Sequence, residues 1–185
     1  YLGRVARKAG FSPRYELDLL RLRLASGTIS KTEEYMEAAQ LALQAGFPAE
    51  ARKIIDQGYA NKLLGTGAEA PRHQRLRDLA IKQEGESKAS IAGQVAEAEK
   101  AKDGDNLVKW GYALVTLGEV DRGIGVIQQG IATPGLKRPD EARLRLGMAQ
   151  LQSGKARNAA VQTLRGVRGT DGTADIARLW TAVQP

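Results

Sequence analysis

The sequence predicts an all-α fold, a solenoid of antiparallel helix pairs stacked with a period of 36 residues. Three observations carry this. Gly10, Gly46, Gly118 and Gly154 are spaced 36, 72 and 36 residues apart, and a fixed period of about 20 to 50 residues marks a stacked repeat. Gly3, Gly111 and Gly147 keep the same beat, spaced 108 and 36, and lie seven residues before a member of the first set. Hydrophobic residues make up 42% of the 185-residue chain but aromatics only 5%. Ala and Leu supply most of that content, which suits thin helix pairs better than a sheet core.

Read as a single array over 1–185, the chain divides into a partial repeat at 1–31, repeats at 32–66, 104–139 and 140–169, an irregular repeat at 67–103, and a capping helix at 173–183. In the partial repeat, the end of a first helix (Tyr1 to Ala9) leads through Gly10-Phe11-Ser12-Pro13 to a second helix ending near Ala25. In the next, Tyr35 to Ala45 precedes Gly46-Phe47-Pro48, and Ala49 to Tyr59 follows. Pro48 fits the first turn of that second helix, where its missing N–H is not needed. The shared Ala-Gly-Phe at 9–11 and 45–47 sets the register.

The third unit departs from the pattern. Arg75 and Lys82 stand where the beat calls for glycine, so the stretch reads as two helices, 72–84 and 86–102, broken at Gly85. The fourth unit begins at Asp105 or Asn106, turns at Gly118, and continues from Val120 to Ile131 with Ile124, Ile127 and Ile131 at helical spacing. Pro134 and Gly135 break the chain. The fifth runs from Asp140 to Ser153, with Asp140 and Glu141 placed to favour the helix dipole. Gly154 ends it as a left-handed C-terminal glycine does, and a partner helix spans about Ala156 to Arg168. The last helix, Thr173 to Val183, lacks a sequence partner and reads as a cap.

These residues resemble the tetratricopeptide repeat. Leu2-Gly3, Trp110-Gly111 and Leu146-Gly147 match its Leu-Gly pair, and Gly123, Ala51, Ala159, Gly58, Gly130 and Gly166 match the small residues that let paired helices approach closely. The resemblance covers roughly four fifths of the chain and implies a right-handed solenoid whose function is to bind protein. It also extends to the C-terminal part of longer bacterial tetratricopeptide proteins, often exported. This sets a periplasmic or exported location ahead of a cytoplasmic one and makes the chain a piece of a longer protein.

The resemblance further implies a concave groove lined by first helices. The residues it assigns there are Met36, Gln40 and Leu43, then Val108, Tyr112 and Val115, then Leu144, Met148 and Leu151. Val108 and Tyr112 stand where a carboxylate clamp needs polar groups, which argues against that clamp. A mostly apolar groove suits an amphipathic helix or extended segment of a partner protein.

The net charge of +7 is uneven: residues 1–31 carry +5 and 136–169 carry +6, around a middle of −3 and before a tail of −1. Arg4, Arg7 and Lys8 at one end, and Arg138, Arg143 and Arg145 at the other, form a candidate basic patch. Nucleic acid is the alternative ligand for such a patch, but aromatic residues for base stacking are not interleaved with it. Two other settings stay open, a scaffold domain of a larger enzyme and a part of a secretion or envelope assembly, and self-association is a further possibility.

The sequence supplies no evident reaction centre, and the reading is non-catalytic, with no cofactor and no metal. There is no Cys and a single His, which argues against a zinc site. His73 lies among Arg72, Arg75 and Arg77 with no carboxylate placed beside it. Gly65-Thr66-Gly67 lacks the Lys and Ser or Thr of a phosphate-cradling loop. No stretch approaches the roughly 18 apolar residues of a membrane helix.

Overall fold

A computed structural model of the chain describes residues 1–183, and within them the fold is all-α, with no strand. The helices are α1 (Leu2–Ala6), α2 (Glu16–Ala25), α3 (Thr32–Gln44), α4 (Pro48–Ala60), α5 (Ala70–Lys100), α6 (Gly104–Thr116), α7 (Val120–Ala132), α8 (Pro139–Ser153), α9 (Arg157–Arg165) and α10 (Thr173–Ala182), with a 3-10 turn at Pro13–Tyr15. No helix is long and apolar enough to cross a membrane.

Helices α3 with α4, α6 with α7 and α8 with α9 pack as neighbouring pairs. The first two pairs start at equivalent points: α3 and α4 begin at 32 and 48, and α6 and α7 at 104 and 120, each 72 residues later. The turns inside these pairs are built alike. Gly46 and Gly118 have φ of +89° and +92°, a conformation that costs a residue with a Cβ roughly 1–2 kcal/mol. This lets Phe47 N–H reach back to Ala42 O, and Glu119 N–H to Leu114 O, at 2.9 and 3.0 Å. These bonds satisfy carbonyls that the helix end otherwise leaves open. Gly10 and Gly154 share the left-handed conformation.

The second glycine set works differently, through space. A Cβ on Gly111 would lie 2.9 Å from the Gly123 carbonyl oxygen, and one on Gly123 would lie 2.5 Å from the Gly111 carbonyl oxygen. Gly104 and Gly130 oppose each other in the same way. Helices α6 and α7 therefore meet backbone to backbone at two levels. On Gly147 the added atom would strike Leu164 of α9, whereas Gly3 faces open space. The close-approach reading thus holds at 111 and 147 and not at 3.

The expected break at Gly85 is absent, which corrects the reading of 72–102 as two helices: α5 is one continuous helix of 31 residues. With Lys82 in place of the turn glycine, nothing in the chain stabilises a left-handed residue there. Gly85 alone costs a helix only about 1 kcal/mol. The reversals at the ends of α4 and α5 instead use Lys62 and Lys102, at φ +58° and +52°.

The chain forms two compact units, Gly27–Ser90 and Tyr1–Ser26 with the chain from Ile91 onward. The first centres on Tyr35, Met36, Phe47, Ile54, Ile55 and Leu64, all buried. The second is discontinuous. Its core takes Leu17, Leu20 and Leu22 from α2 and Leu107, Leu114, Ile127, Leu144, Leu164 and Ile176 from the helices after α5. Charge divides with the units: Gly27–Ser90 holds nine basic and nine acidic residues, and the discontinuous unit 19 basic and 12 acidic, the entire +7. The last helix, α10, packs on α8 and α9, and also on α2.

Candidate functional site

The sequence-predicted groove residues separate sharply by burial. Met36, Val108, Tyr112, Val115, Leu144 and Met148 are buried. Their reading as open groove lining is corrected: they are core side chains, because neighbouring helices already cover the face they occupy. Gln40 is exposed and Leu43 and Leu151 are half-buried. The basic patch is likewise not a free cationic array. Arg4 and Arg7 are exposed, but Lys8 pairs with Asp175 at 3.0 Å, Arg143 with Asp140 at 3.5 Å and Arg138 with Glu141 at 4.0 Å. Arg145 leaves the surface altogether and is buried.

Arg145 leads to the arrangement that sequence reasoning missed. Its guanidinium grips Asp18 of α2 with two hydrogen bonds, Nη1 to Oδ1 at 2.5 Å and Nη2 to Oδ2 at 3.0 Å. Arg21, one helical turn after Asp18, donates to the same Oδ1 at 3.0 Å. Asp18 is 0% exposed. Tyr112 of α6 closes one side, with the guanidinium carbons of Arg21 and Arg145 5.2 and 5.6 Å from its ring centroid, where the negative face of the ring attracts them. Arg145 Nη1 also lies 3.5 Å from the Met148 sulfur. Farther out, Arg145 donates to Glu141 at 3.4 Å, and Glu141 accepts from Arg14 at 2.8 Å. Acid and base thus alternate from the surface inward: Arg14, Glu141, Arg145, Asp18, Arg21.

Burial pushes the Asp18 carboxyl up, and the Arg145 and Arg21 charges with their hydrogen bonds more than offset this, holding it below the usual carboxylate range. For Arg145, burial pushes down while the Asp18 carboxylate pulls up and prevails. Both groups are therefore ionised in the interior. Such a pair is tolerated because bidentate geometry and additional donors replace the lost water.

The cluster is one of several ties, among the described residues, between the N-terminal segment and residues 140–177. Lys8 pairs with Asp175, Arg14 with Glu141 and Asp18 with Arg145. The Ser12 N–H donates to Asp171 O at 2.8 Å. The Phe11 ring lies against Gly172, in the space a side chain there would need. The sequence signal, in retrospect, is a carboxylate set inside Leu17-Asp18-Leu19-Leu20 and an arginine inside Leu144-Arg145-Leu146. A charge flanked by leucines on a helix is either at the edge of a buried face or paired within it.

His73 has a structural post. It is buried, and its Nδ1 accepts the Gly65 N–H at 3.0 Å, fixing the turn between α4 and α5. Nearby, Arg77 pairs with Asp56 at 2.9 Å and lies over Tyr59, and Arg52 pairs with Glu84 at 3.0 Å. Among the described residues no group of three or more His, Asp or Glu is placed to hold a metal ion.

Comparison of the chain with protein-family models, with curated proteins and with solved structures gives no match.

Proposed function

We propose that this chain is a non-catalytic scaffold that binds another protein through the faces of its first helices, in the manner of a tetratricopeptide array. The observation that carries the reading is the seat of α2. The face formed by Tyr112 of α6 and Arg145 and Met148 of α8 holds a helix, and holds it by both apolar burial and matched charge. Helix-in-groove binding uses the same physics between chains. The equal 72-residue offsets of the first two helix pairs, and the left-handed glycines at 10, 46, 118 and 154, support the repeat register behind it.

The test is a pull-down from the source cell with the wild-type chain and with variants at the predicted groove positions that are not buried, Gln40→Lys and Leu151→Glu, each shown to melt as wild type does. Protein captured by wild type and lost in either variant supports the reading. Capture of nucleic acid released by salt overturns it, as does turnover of a small molecule by the chain itself.

A further inference from the structure

We infer that α2 is a resident, displaceable ligand of the discontinuous unit, and that the face beneath it is a receptor for a helix bearing a carboxylate in the middle of its leucine side. The inference rests on the scaffold reading above and names the chemistry of the partner.

The connectivity is the first support. Residues 1–26 belong to the same unit as the chain from Ile91, yet all of Gly27–Ser90 intervenes and forms a unit of its own. Within the discontinuous unit, the N-terminal segment is therefore held only by non-covalent contacts. Its exit, residues 26–31, is largely exposed and not helical, with Gly27 at φ +67°. The tether is the folded unit Gly27–Ser90 itself, and the segment acts as an intramolecular ligand at the effective concentration which that tether sets.

The nature of the contacts is the second support. The ties that orient the segment are three charged pairs and a backbone hydrogen bond around the buried Tyr15, Leu17, Leu20 and Leu22, without the close backbone-to-backbone approach seen between α6 and α7. Receptor and ligand are complementary. The receptor side offers Arg145 at its centre, with the Tyr112 ring beside it; the ligand side offers Asp18 between leucines, with Arg21 a turn later to lie over that ring. Glu141 receives a second arginine, Arg14, from the ligand's leading turn. The recognised pattern is therefore Arg-x-x-x-Asp-x-x-Arg, read from Arg14 in the leading 3-10 turn and Asp18 and Arg21 on α2, with Tyr15, Leu17, Leu20 and Leu22 as the remaining buried positions. A partner helix with this pattern displaces α2 by satisfying the same buried guanidinium.

The experiment uses the full chain with a protease site inserted after Gly27 and cut in the folded state, and a fluorescent peptide of residues 12–26 as the probe. After the cut, the labelled peptide exchanges into the site and raises its anisotropy to saturation. Binding to the uncut chain is at least about tenfold weaker, because the tethered α2 competes at high effective concentration. The same peptide with Asp18→Asn binds the cut chain about a hundredfold more weakly, since it leaves the buried Arg145 with only the longer contact to Glu141 as counter-charge. Three results overturn the inference: no exchange after the cut, equal binding of the Asp18→Asn peptide, or loss of helical circular dichroism on cutting, which makes 1–26 core rather than ligand. A lysate pull-down that captures nothing while the peptide still exchanges removes the scaffold reading and leaves the receptor face intact, so the two failures are distinguishable.

Discussion

Replacing Asp18 with Asn tests the electrostatics of the α2 seat most directly. The change keeps the shape and one acceptor oxygen but removes the charge that two buried guanidiniums share. At an effective dielectric of about 20, a pair of unit charges about 4 Å apart is worth about 4 kcal/mol. Asp18 makes two such pairs, with Arg145 and Arg21. Against this stand the desolvation of the carboxylate, which Asn no longer incurs, and the mutual repulsion of the arginines, which it no longer offsets. Removing one partner of a buried pair typically costs about 3–5 kcal/mol, a large share of a domain's usual 5–15 kcal/mol or so. The assay is urea unfolding of wild type and Asp18→Asn across pH. The folded-state pKa of Asp18 is lowered. Its contribution is therefore fully present above the unfolded carboxylate value of about 3.9, and is lost as pH falls through the lower folded value. The gap between the two proteins is thus widest near neutrality and closes in acid. A neutral-pH loss under about 1 kcal/mol, or a gap that ignores acidification, refutes the reasoning. Replacing all three buried groups with apolar residues, Asp18→Leu with Arg21→Leu and Arg145→Met, is expected to restore most of the loss, because no buried guanidinium is then stranded and Glu141 keeps Arg14.

Gly123→Ala is expected to destabilise by about 1–3 kcal/mol, because its Cβ meets the Gly111 carbonyl. Gly125→Ala, two residues on in α7 and facing open space, is expected to stabilise by up to about 1 kcal/mol, and thermal melts of the pair separate packing from propensity. Gly85→Ala is expected to stabilise α5 by about 0.8–1 kcal/mol; a loss of stability in the same melts would mean that the helix breaks there. Lys102→Gly is expected to gain about 0.5–1 kcal/mol by relieving a left-handed residue at the end of α5, measured by urea midpoint. His73→Leu is expected to cost about 1–3 kcal/mol by leaving the Gly65 N–H without its acceptor, again by urea midpoint.

Local chemistry made much of the fold legible in the chain itself. Helix ends are decided within a few residues, by a glycine free to turn left-handed or a proline that lacks an N–H. Accordingly α3, α4, α7, α8 and α10 begin and end within a few residues of where the sequence places them. Where the local signal was ambiguous, at Gly85, the missing turn glycine at position 82 was the better guide, and α5 runs through. What only the tertiary structure decided is which faces are covered and by what. Tyr112 and Met148 carry the pattern of groove residues whether a partner or the chain's own α2 lies over them, and periodicity cannot distinguish the two. Asp18 and Arg145 are 127 residues apart and belong to different predicted repeats. Nothing local couples them, and the desolvation that drives them together exists only once the leucines around both are buried. The sequence by itself thus determined an all-helical chain with left-handed glycines at 10, 46, 118 and 154. The folded chain decided that its N-terminal helix α2 closes over Tyr112 of α6 and Arg145 of α8, because an interior charge can find its counter-charge at any distance along the chain.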